Sequence, residues 1–400
     1  MNERAIPSAS PISGLTSALR DEARLAPESG IVEVMNYGRD RPGMIPLWAG
    51  EGDLPTPDFI CEAATRSLAA GETFYTWQRG IPDIRQALAD YRTRLHGKPF
   101  TPERFFITGS GMQAIQTAKR MVAGAGDEVL IPSPCWPNAA AATEIGSARA
   151  VEVPMSFTDN GWQLDLTRLV DTCSENTRAI FINSPGNPTG WVMEHDDMKA
   201  LLDFTRRRGI WIIADEVYER FYYDGDRAPS FHDVAEPDDR ILYVNTFSKN
   251  WAMTGWRIGW IEAPAELGQV VENLIQYSTS GVAAFMQRAA IAGLERGEEF
   301  IAYQVERARR GRDIVCDTLG ETGRVRFARP AGAFYLFFSI DGEPDVEKLG
   351  LRLVDEANVG LAPGTAFGTA GAGFMRLCFA RGEDSLTEAA NRLADWLRRG

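Results

Sequence analysis

Lys249 is the residue of this sequence whose setting most strongly suggests reaction chemistry. It follows an apolar, β-branched run at residues 241–244 and precedes Arg257 by eight positions. Burying an ammonium group is costly, and burial lowers the pKa of the amine. A neutral lysine amine is what imine formation with a carbonyl compound requires. The competing interpretation is a solvated lysine in a loop after a strand, so the choice depends on the other motifs.

Asp215 closes a short apolar run at residues 210–214, and Tyr218 follows three positions later. Ligands of parallel α/β sheets bind outside the carboxyl ends of the strands. A buried carboxylate in that position needs a positively charged partner, because otherwise it takes up a proton. An aspartate that caps a helix is the competing interpretation, and Glu216 is expected to point to the opposite side.

Two turns add binding chemistry. Gly109-Ser110-Gly111 joins a predicted strand to a predicted helix, whose first backbone N–H groups can bind a phosphate. The string NSPGNPTG places Asn187 in a proline-rich turn, where its amide can face a ligand. Either turn alone is common, but together with Lys249 and Asp215 they favour one composite site.

The composition is that of a soluble globular protein, with 44% hydrophobic and 24% charged residues in a chain of 400. The formal net charge of −13 argues against a nucleic-acid or anionic-membrane surface. We expect a cytoplasmic protein, since the sequence begins without a signal peptide and shows no apolar run of about 18 residues. We also expect no metal site and reduced thiols, because the cysteines are widely scattered: Cys61, Cys135, Cys173, Cys316 and Cys378.

The elements that must position these residues alternate between strands and helices, which predicts an α/β fold with a largely parallel sheet. The predicted strands are 105–108, 128–131, 179–183, 210–214, 241–245 and 258–261, with helices such as 112–121 and 198–208 between them. A second, α+β unit follows, with a long charged helix at 287–319, a strand pair near Phe327 and 334–339, and a closing helix at 385–397. The predicted organisation is an N-terminal arm (1–45) joining the smaller domain, a large domain (46–285) and a small C-terminal domain (286–400).

The order of SGMQAI, SPCWPN, NSPGNPTG, ADEVY, TFSKNWAMTGWRIG and FMRLCFA resembles the class I/II aminotransferases of the pyridoxal-phosphate fold-type I superfamily, which are aspartate aminotransferase-like. The resemblance covers about residues 40–390. It implies a large domain with a mostly parallel seven-stranded sheet flanked by helices, and a smaller α+β domain. It also implies transfer of an amino group from an L-amino acid to a 2-oxo acid by a ping-pong mechanism, through a Lys249 internal aldimine and pyridoxamine phosphate.

The resemblance assigns roles residue by residue. Lys249 would bind pyridoxal 5'-phosphate and move the proton at the substrate α-carbon, while Asp215 would pair with the pyridinium nitrogen. Tyr218 and Asn187 would hydrogen-bond the phenolic oxygen, and Trp136 would stack on the ring. The phosphate would be bound by Ser110, Gly111, Met112, Thr246, Ser248 and Arg257.

Substrate recognition follows from the same resemblance. Arg376, inside the apolar run FMRLC, would bind the α-carboxylate with Gly50 and Asn187, and Tyr75 would reach the phosphate of a neighbouring subunit in a homodimer. Two departures limit the resemblance. Met112 replaces a hydroxyl or lysine found in many relatives, so this position can offer only its backbone N–H. Residues 275–281 contain no arginine, although the dicarboxylate-specific relatives place one there to bind a side-chain carboxylate. We therefore expect a neutral or aromatic donor rather than strictly aspartate. Arg79 is an alternative source of charge near Tyr75, although a solvated loop arginine is favoured.

Two other functions fit parts of the pattern. A carbon–sulfur β-lyase on the same fold would use the same lysine and aspartate, and PLWAGEGD faintly resembles that group, whereas DEVYERF and MTGWRIG favour amino-group transfer. A transcription regulator that binds pyridoxal phosphate would carry a DNA-binding region before this core. Only about 40 residues precede the core here, and the net charge is acidic, so this alternative is remote.

Overall fold

The structure, a computed structural model, describes residues 14–399 and is organised around a seven-stranded mixed sheet. Its strands lie in the spatial order Phe105–Thr108, Gly259–Glu262, Ile241–Thr246, Trp211–Asp215, Thr177–Asn183, Glu128–Ser133 and Arg149–Pro154. Neighbouring strands are parallel, except that Gly259–Glu262 is antiparallel to the strands on both sides. The predicted mostly parallel sheet is confirmed.

The strands of this sheet form where the sequence is continuously apolar. Every residue of Phe105–Thr108, Glu128–Ser133 and Ile241–Thr246 is buried, as expected for a sheet covered by helices on both faces. Each of the six strands predicted for this sheet is present, and its ends differ from the prediction by at most two residues.

A second sheet has four antiparallel strands, in the order Val325–Phe327, Tyr335–Ile340, Phe374–Cys378 and Ala362–Pro363. The predicted strand pair near Phe327 is therefore present. The N-terminal segment joins this part of the chain, since Ile45–Pro46 pairs in parallel with Val359–Gly360, and the helix Gly30–Gly38 packs against Val346–Glu356. The first thirteen residues of the predicted arm lie outside the described residues. A further two-stranded pair joins Ser156–Thr158 to Gly161–Gln163.

The α-helices that the structure describes are Gly14–Ser17, Asp21–Arg24, Gly30–Gly38, Asp58–Ala69, Pro82–His96, Gly111–Val122, Asn138–Ile145, Leu166–Thr172, His195–Arg208, Gly268–Gln276, Ala284–Arg296, Glu298–Gly320, Val346–Glu356 and Glu383–Arg399. Short 3₁₀ turns occur at Pro102–Arg104, Phe231–Asp233, Thr254–Trp256, Ala265–Leu267, Gly364–Phe367 and Thr369–Gly371. Within residues 14–399, no helix combines the length and the apolar character needed to cross a membrane.

The single long helix predicted at residues 287–319 is wrong, because the segment forms two helices, Ala284–Arg296 and Glu298–Gly320. The break falls at Gly297. A Cβ atom there would lie 2.4 Å from the carbonyl oxygen of Gly293 and 2.6 Å from Nε1 of Trp251. The same indole Nε1 donates to the Gly293 carbonyl at 2.8 Å. The break between the two helices therefore coincides with a tertiary contact to a distant tryptophan.

Candidate active site

A cavity of about 360 Å³ lies at the carboxyl ends of the central strands, within the range typical of ligand sites. Asn183, Asp215 and Thr246, which end three neighbouring strands, line its wall. Most of the predicted site residues also line it: Gly50, Gly111, Met112, Trp136, Asn187, Asp215, Tyr218, Thr246, Ser248, Lys249, Arg257 and Arg376. The residues chosen from separate motifs therefore meet in one place, although Ser110 and Tyr75 do not line this cavity.

Lys249 points its amine into the cavity wall. Its Nζ donates to the carbonyl oxygen of Gly50 at 2.7 Å and lies 5.8 Å from the centre of the Tyr218 ring. Burial, together with the positive charges of Arg376 and Arg257, lowers the pKa of Lys249 to about 8. The amine can therefore lose its proton close to neutral pH, as a nucleophilic lysine requires.

Asp215 lies beside Asn183 in the sheet register, and Nδ2 of Asn183 donates to the Asp215 carbonyl oxygen at 3.2 Å. Burial raises the pKa of Asp215 to about 7, although the Val217 N–H and the lysines Lys119 and Lys249 lower it. Its buried Oδ1 has no hydrogen-bond partner among the described residues. A protonated ring nitrogen of a ligand would supply that partner and return the carboxyl group to its charged form.

Neither competing interpretation of this segment is supported. Asp215 is followed by a turn rather than a helix, so it is not a helix cap. Glu216 accepts a hydrogen bond from Oγ of Ser230 at 2.8 Å and is not part of the cavity wall. The adjacent carboxylates therefore have separate surroundings, as predicted.

The helix Gly111–Val122 begins at the cavity, where its first backbone N–H groups can bind an anion. A Cβ atom on Gly111 would lie 3.2 Å from Cβ of Thr246, so glycine permits this close approach of helix and strand. Ser110 caps the helix, because its Oγ accepts the N–H of Gln113 at 3.0 Å. The hydroxyl oxygen accepts this bond, so its O–H hydrogen stays available to donate to a ligand.

Two hydroxyl groups and a guanidinium complete this end of the cavity. Oγ1 of Thr246 and Oγ of Ser248 lie 3.0 Å apart, and Arg257 donates from Nη1 to the Thr254 carbonyl at 2.7 Å. Arg257 has a φ of +54°, a left-handed conformation that is uncommon outside glycine and typical of functional sites. The helix start, the hydroxyls and the exposed arginine together suit a phosphate group.

Arg376 is buried in the second sheet and forms the opposite end of the cavity. Its Nη1 donates to Oδ1 of Asn187 at 3.0 Å, and its Nη2 donates to the carbonyl oxygen of Trp48. The guanidinium lies 4.7 Å from the ring centres of both Tyr335 and Phe367. Aromatic faces on a planar guanidinium fix its orientation, which suits two-point recognition of a carboxylate.

Tyr218 and Tyr335 share a hydrogen bond, with 2.7 Å between their hydroxyl oxygens. Burial raises the pKa of both phenols, so they remain protonated donors at neutral pH. Gly50 permits this arrangement, because a Cβ atom there would lie 2.5 Å from Oη of Tyr335.

Tyr75 and Arg79 lie apart from the cavity for different reasons. Tyr75 is 92% exposed, so within one chain it contacts no ligand site. Arg79, considered as a spare charge near Tyr75, donates from Nε to Oε2 of Glu272 at 2.6 Å and does not line the cavity. It is therefore engaged by an acidic residue.

Seven residues that line the cavity were not predicted as site residues: Ile31, Trp48, Ile115, Asn138, Asn183, Val217 and Tyr335. Three of them contact the predicted residues directly. Tyr335 contacts Tyr218 and Arg376, the Trp48 carbonyl accepts from Arg376, and Asn183 supports both Asp215 and the Asn187 backbone N–H, the latter at 2.8 Å. Tyr335 ends the string RPAGAFY and Trp48 lies in IPLWAGEGDLPTP, two further strings that resemble signatures of the same family, and Asn183 opens NSPGNPTG. These strings indicate the family, but they do not indicate the role of an individual residue within them.

Pyridoxal phosphate fits this set of residues. The unpartnered Oδ1 of Asp215 matches a protonated pyridine nitrogen, and the helix start with Arg257 matches a phosphate. Lys249 supplies the amine for an aldehyde, and the half-buried Trp136 supplies an aromatic face in the cavity wall. The remaining cation, Arg376, is available for a substrate carboxylate.

Comparison with known proteins agrees with this geometry. A family profile described as aminotransferase class I and II matches residues 42–393. A protein of Aquifex aeolicus named probable aspartate/prephenate aminotransferase is 36% identical, covering 88% of this chain and 90% of the relative. The structure of aspartate aminotransferase from Thermotoga maritima has a TM-score of 0.88 and 34% identity, covering 95% and 100% of the two chains. An aromatic aminotransferase structure from Pyrococcus horikoshii has a TM-score of 0.85 and 32% identity, covering 92% and 99%.

Proposed function

The chain belongs to the class I and II aminotransferases, and from that premise we propose that it transfers the amino group of an L-amino acid to a 2-oxo acid on pyridoxal phosphate bound at Lys249. The relatives favour amino-group transfer over the lyase alternative. The observation that carries the site assignment is the meeting of Lys249, Asp215, Arg257 and Arg376 in one cavity.

Bound pyridoxal phosphate supplies an aldehyde for amines and a ring that accepts the electron pair of the broken Cα–H bond. Asp215 would keep a proton on the ring nitrogen through its unpartnered Oδ1 and so strengthen the ring as an electron acceptor. Lys249 Nζ would hold the aldehyde in the resting enzyme. Once displaced by the substrate amine, it would take the proton from the α-carbon and deliver it to the carbon that had carried the aldehyde, a task that its lowered pKa suits. Tyr218 and Asn187 would hydrogen-bond the phenolic oxygen.

The substrate α-carboxylate binds Arg376, with Asn187 and the Gly50 backbone beside it. The oriented guanidinium fixes the donor so that its α-carbon faces Lys249. Because the two half-reactions use one cavity, the first 2-oxo acid leaves before the second enters, which gives ping-pong kinetics.

We further propose a homodimer in which Tyr75 completes the phosphate site of the neighbouring subunit. Phe74, Tyr75 and Tyr277 are 84%, 92% and 88% exposed, and Trp77 is 63% exposed. A group of exposed aromatic side chains is typical of an interaction surface. Cytoplasmic location is supported by the five cysteines, all of which are free thiols.

The proposed domain division is an arm at 1–45, a large domain at 46–285 and a small domain at 286–400. All strands of the seven-stranded sheet fall within the large domain, and all strands of the four-stranded sheet fall within the small one. The pairing of Ile45–Pro46 with Val359–Gly360 supports assigning the arm to the small domain.

The function is tested by following a ¹⁵N-labelled donor amino acid incubated with the cofactor-loaded enzyme and an unlabelled 2-oxo acid. Transfer places the label in the amino acid formed from the acceptor. With a donor that carries a sulfur leaving group on its β-carbon, label that appears as ammonium without any need for the acceptor would establish the lyase instead.

Replacing Arg376 with glutamine should lower kcat/KM for amino acids by roughly 10- to 150-fold. The reason is that a charge-assisted hydrogen bond contributes about 1.5–3 kcal/mol, and about 1.4 kcal/mol corresponds to tenfold. The measurement is the half-reaction rate with an amino acid and with the matching primary amine that lacks the carboxylate. The variant should react more slowly than the parent with the amino acid but about equally fast with the amine. An equal loss of rate with both compounds would contradict the assigned role.

A hybrid dimer made from two variants tests the role of Tyr75. Tyr75→Phe should weaken cofactor binding by roughly tenfold, since one hydrogen bond to a charged phosphate is lost. A hybrid dimer of Tyr75→Phe with Lys249→Ala contains one intact site if Tyr75 acts across the interface, so its cofactor affinity should return to that of the parent. A hybrid that retains the Tyr75→Phe affinity would place Tyr75 in its own subunit's site.

A further inference from the structure

Lys119 is a buried charge that the proposed chemistry does not use. It lies in the helix Gly111–Val122, is 3% exposed, and its Nζ is 4.9 Å from the centre of the Phe181 ring. Burial lowers its pKa to about 7, although the negative charges that Cys135 and Asp215 can carry raise it. Because an ammonium group loses its hydration on burial, an apolar side chain of similar length would stabilise this core better. The position of Lys119 therefore calls for another explanation.

The amine of Lys119 joins two helices. Its Nζ donates to Oγ1 of Thr143 at 2.6 Å and to the carbonyl oxygen of Ala139, both in the helix Asn138–Ile145. The N–H of the same Ala139 donates to the carbonyl oxygen of Trp136 at 3.0 Å. Lys119 thus holds, from a neighbouring helix, the residue that hydrogen-bonds the backbone of Trp136.

The Trp136 side chain lines two cavities. One is the active-site cavity, and the other, of about 590 Å³, is formed by described residues that include parts of the strands Glu128–Ser133 and Arg149–Pro154. A side chain in a close-packed core is held by neighbours on every side, whereas a side chain beside two cavities has fewer of them. The position of Trp136 therefore depends on the backbone bonds around it, which include the Cys135 N–H that donates to the Phe367 carbonyl at 2.8 Å.

We propose that Lys119 is a positioning residue, which anchors the start of the helix Asn138–Ile145 and thereby holds the Trp136 ring against the cofactor. This inference rests on the proposed function of the active-site cavity. It explains an amine in the core, since an apolar side chain could fill the same space but could not bond the Ala139 carbonyl. Lys119 does not line the described cavity wall, so its effect on the cofactor passes through Trp136.

The first test is Lys119→Met, which keeps the length and the apolar stem of the side chain and removes its donors. The dissociation constant for pyridoxal phosphate should rise by roughly threefold to tenfold, the range that an aromatic contact contributes beyond burial. Pyridoxal phosphate is added to the cofactor-free protein, and the absorbance and the circular dichroism of its band are followed. The circular dichroism for each bound cofactor should fall, because it reports how the ring is held.

Arg120→Met is the matched control, since Arg120 is the next cation of the same helix and is exposed. This variant should leave the dissociation constant and the circular dichroism unchanged.

The dependence on Trp136 is tested by combining Lys119→Met with Trp136→Leu. Without the indole there is no ring to position, so Lys119→Met should not weaken cofactor binding further in the Trp136→Leu protein. Thr143→Val removes one acceptor at nearly the same shape and leaves Lys119 in place. It should weaken cofactor binding by a smaller factor, again only while Trp136 is present, and it serves if Lys119→Met does not fold.

The stability of the cofactor-free protein separates positioning from a role in the core. The pKa of Lys119 is 10.5 in an unfolded chain and about 7 in the folded one, so between these pH values the unfolded state binds more protons and stability rises with pH. The penalty of burying the amine is therefore complete below pH 7. Lys119→Met removes it and should raise the midpoint of thermal unfolding at pH 7, whereas loss of a stabilising core residue would lower it.

The possible failures are distinguishable. An unchanged dissociation constant in Lys119→Met overturns this inference and leaves amino-group transfer intact. An equal loss of affinity with and without Trp136 also overturns it, and would assign the effect to the charge of Lys119 acting on Asp215. A parent protein that takes up no pyridoxal phosphate overturns the proposed function, and this inference with it.

Discussion

Lys249→Ala should reduce transamination by at least roughly 10⁴-fold, because the variant loses both the amine that binds the cofactor aldehyde and the base that moves the α-proton. The lowered pKa of Lys249 and its hydrogen bond to the Gly50 carbonyl suit its amine to both tasks. The measurement is the rate of one half-reaction in stopped-flow absorbance, which isolates proton transfer from product release.

Lys249→Arg is the matched variant, since it keeps the positive charge but provides a group that stays protonated. It should be as inactive as the alanine variant. A small primary amine added to Lys249→Ala should restore part of the rate, because it can move the proton in place of the missing side chain. Retention of more than a few per cent of the parent rate in either variant would contradict the role of Lys249.

Asp215→Asn should lower the rate by roughly 10²–10⁴-fold, the usual range for a group that controls a proton in the transition state. Asparagine keeps the shape but not the charge, so the ring nitrogen would no longer be held protonated. The matched control is Glu216→Gln, which changes the adjacent carboxylate outside the cavity wall. A comparable loss in both variants would indicate a general structural effect instead of a partner for the ring.

The same substitution has an opposite effect on the stability of the cofactor-free protein. The pKa of Asp215 is 3.8 in an unfolded chain and about 7 in the folded one. Below about pH 4 both states are protonated, so the carboxyl group has no effect on the free energy of unfolding. Between pH 4 and 7 only the unfolded state ionises, so stability falls as pH rises, and above pH 7 the penalty is complete.

Asp215→Asn removes this penalty, so the cofactor-free variant should be more stable than the parent at pH 8, by up to roughly 4 kcal/mol at about 1.4 kcal/mol per pKa unit. The difference should disappear at pH 4. Urea unfolding at the two pH values measures it. A variant that is less stable than the parent at pH 8 would show that Asp215 has a buried partner in the cofactor-free protein.

Much of the site was predictable because its residues follow strands that are continuously apolar. Asp215 and Lys249 were placed at strand ends by their position after such runs, and the structure brings them to one cavity. Arg376, inside the apolar run FMRLC, was assigned by the family resemblance, and its guanidinium donates to Asn187 and to the Trp48 carbonyl.

The unpredicted features depend on contacts between distant segments. Tyr335 meets Tyr218 across 117 positions of the chain, and Arg79 meets Glu272 across 193. At the helix break, Trp251 packs against Gly297 and donates to the Gly293 carbonyl across 42 positions of the chain. The spacing of apolar residues indicates which face of a helix or strand is buried. It does not indicate which side chain of a distant element packs against that face.

The most direct test of the account is a single half-reaction of the parent enzyme loaded with pyridoxal phosphate and mixed with one amino acid in the absence of any acceptor. We predict that the absorbance of the lysine-bound aldehyde form converts to that of the amine form, and that a 2-oxo acid then reverses the change. A lysine-bound band that persists while ammonia accumulates, or a protein that develops no such band with the cofactor, would contradict it.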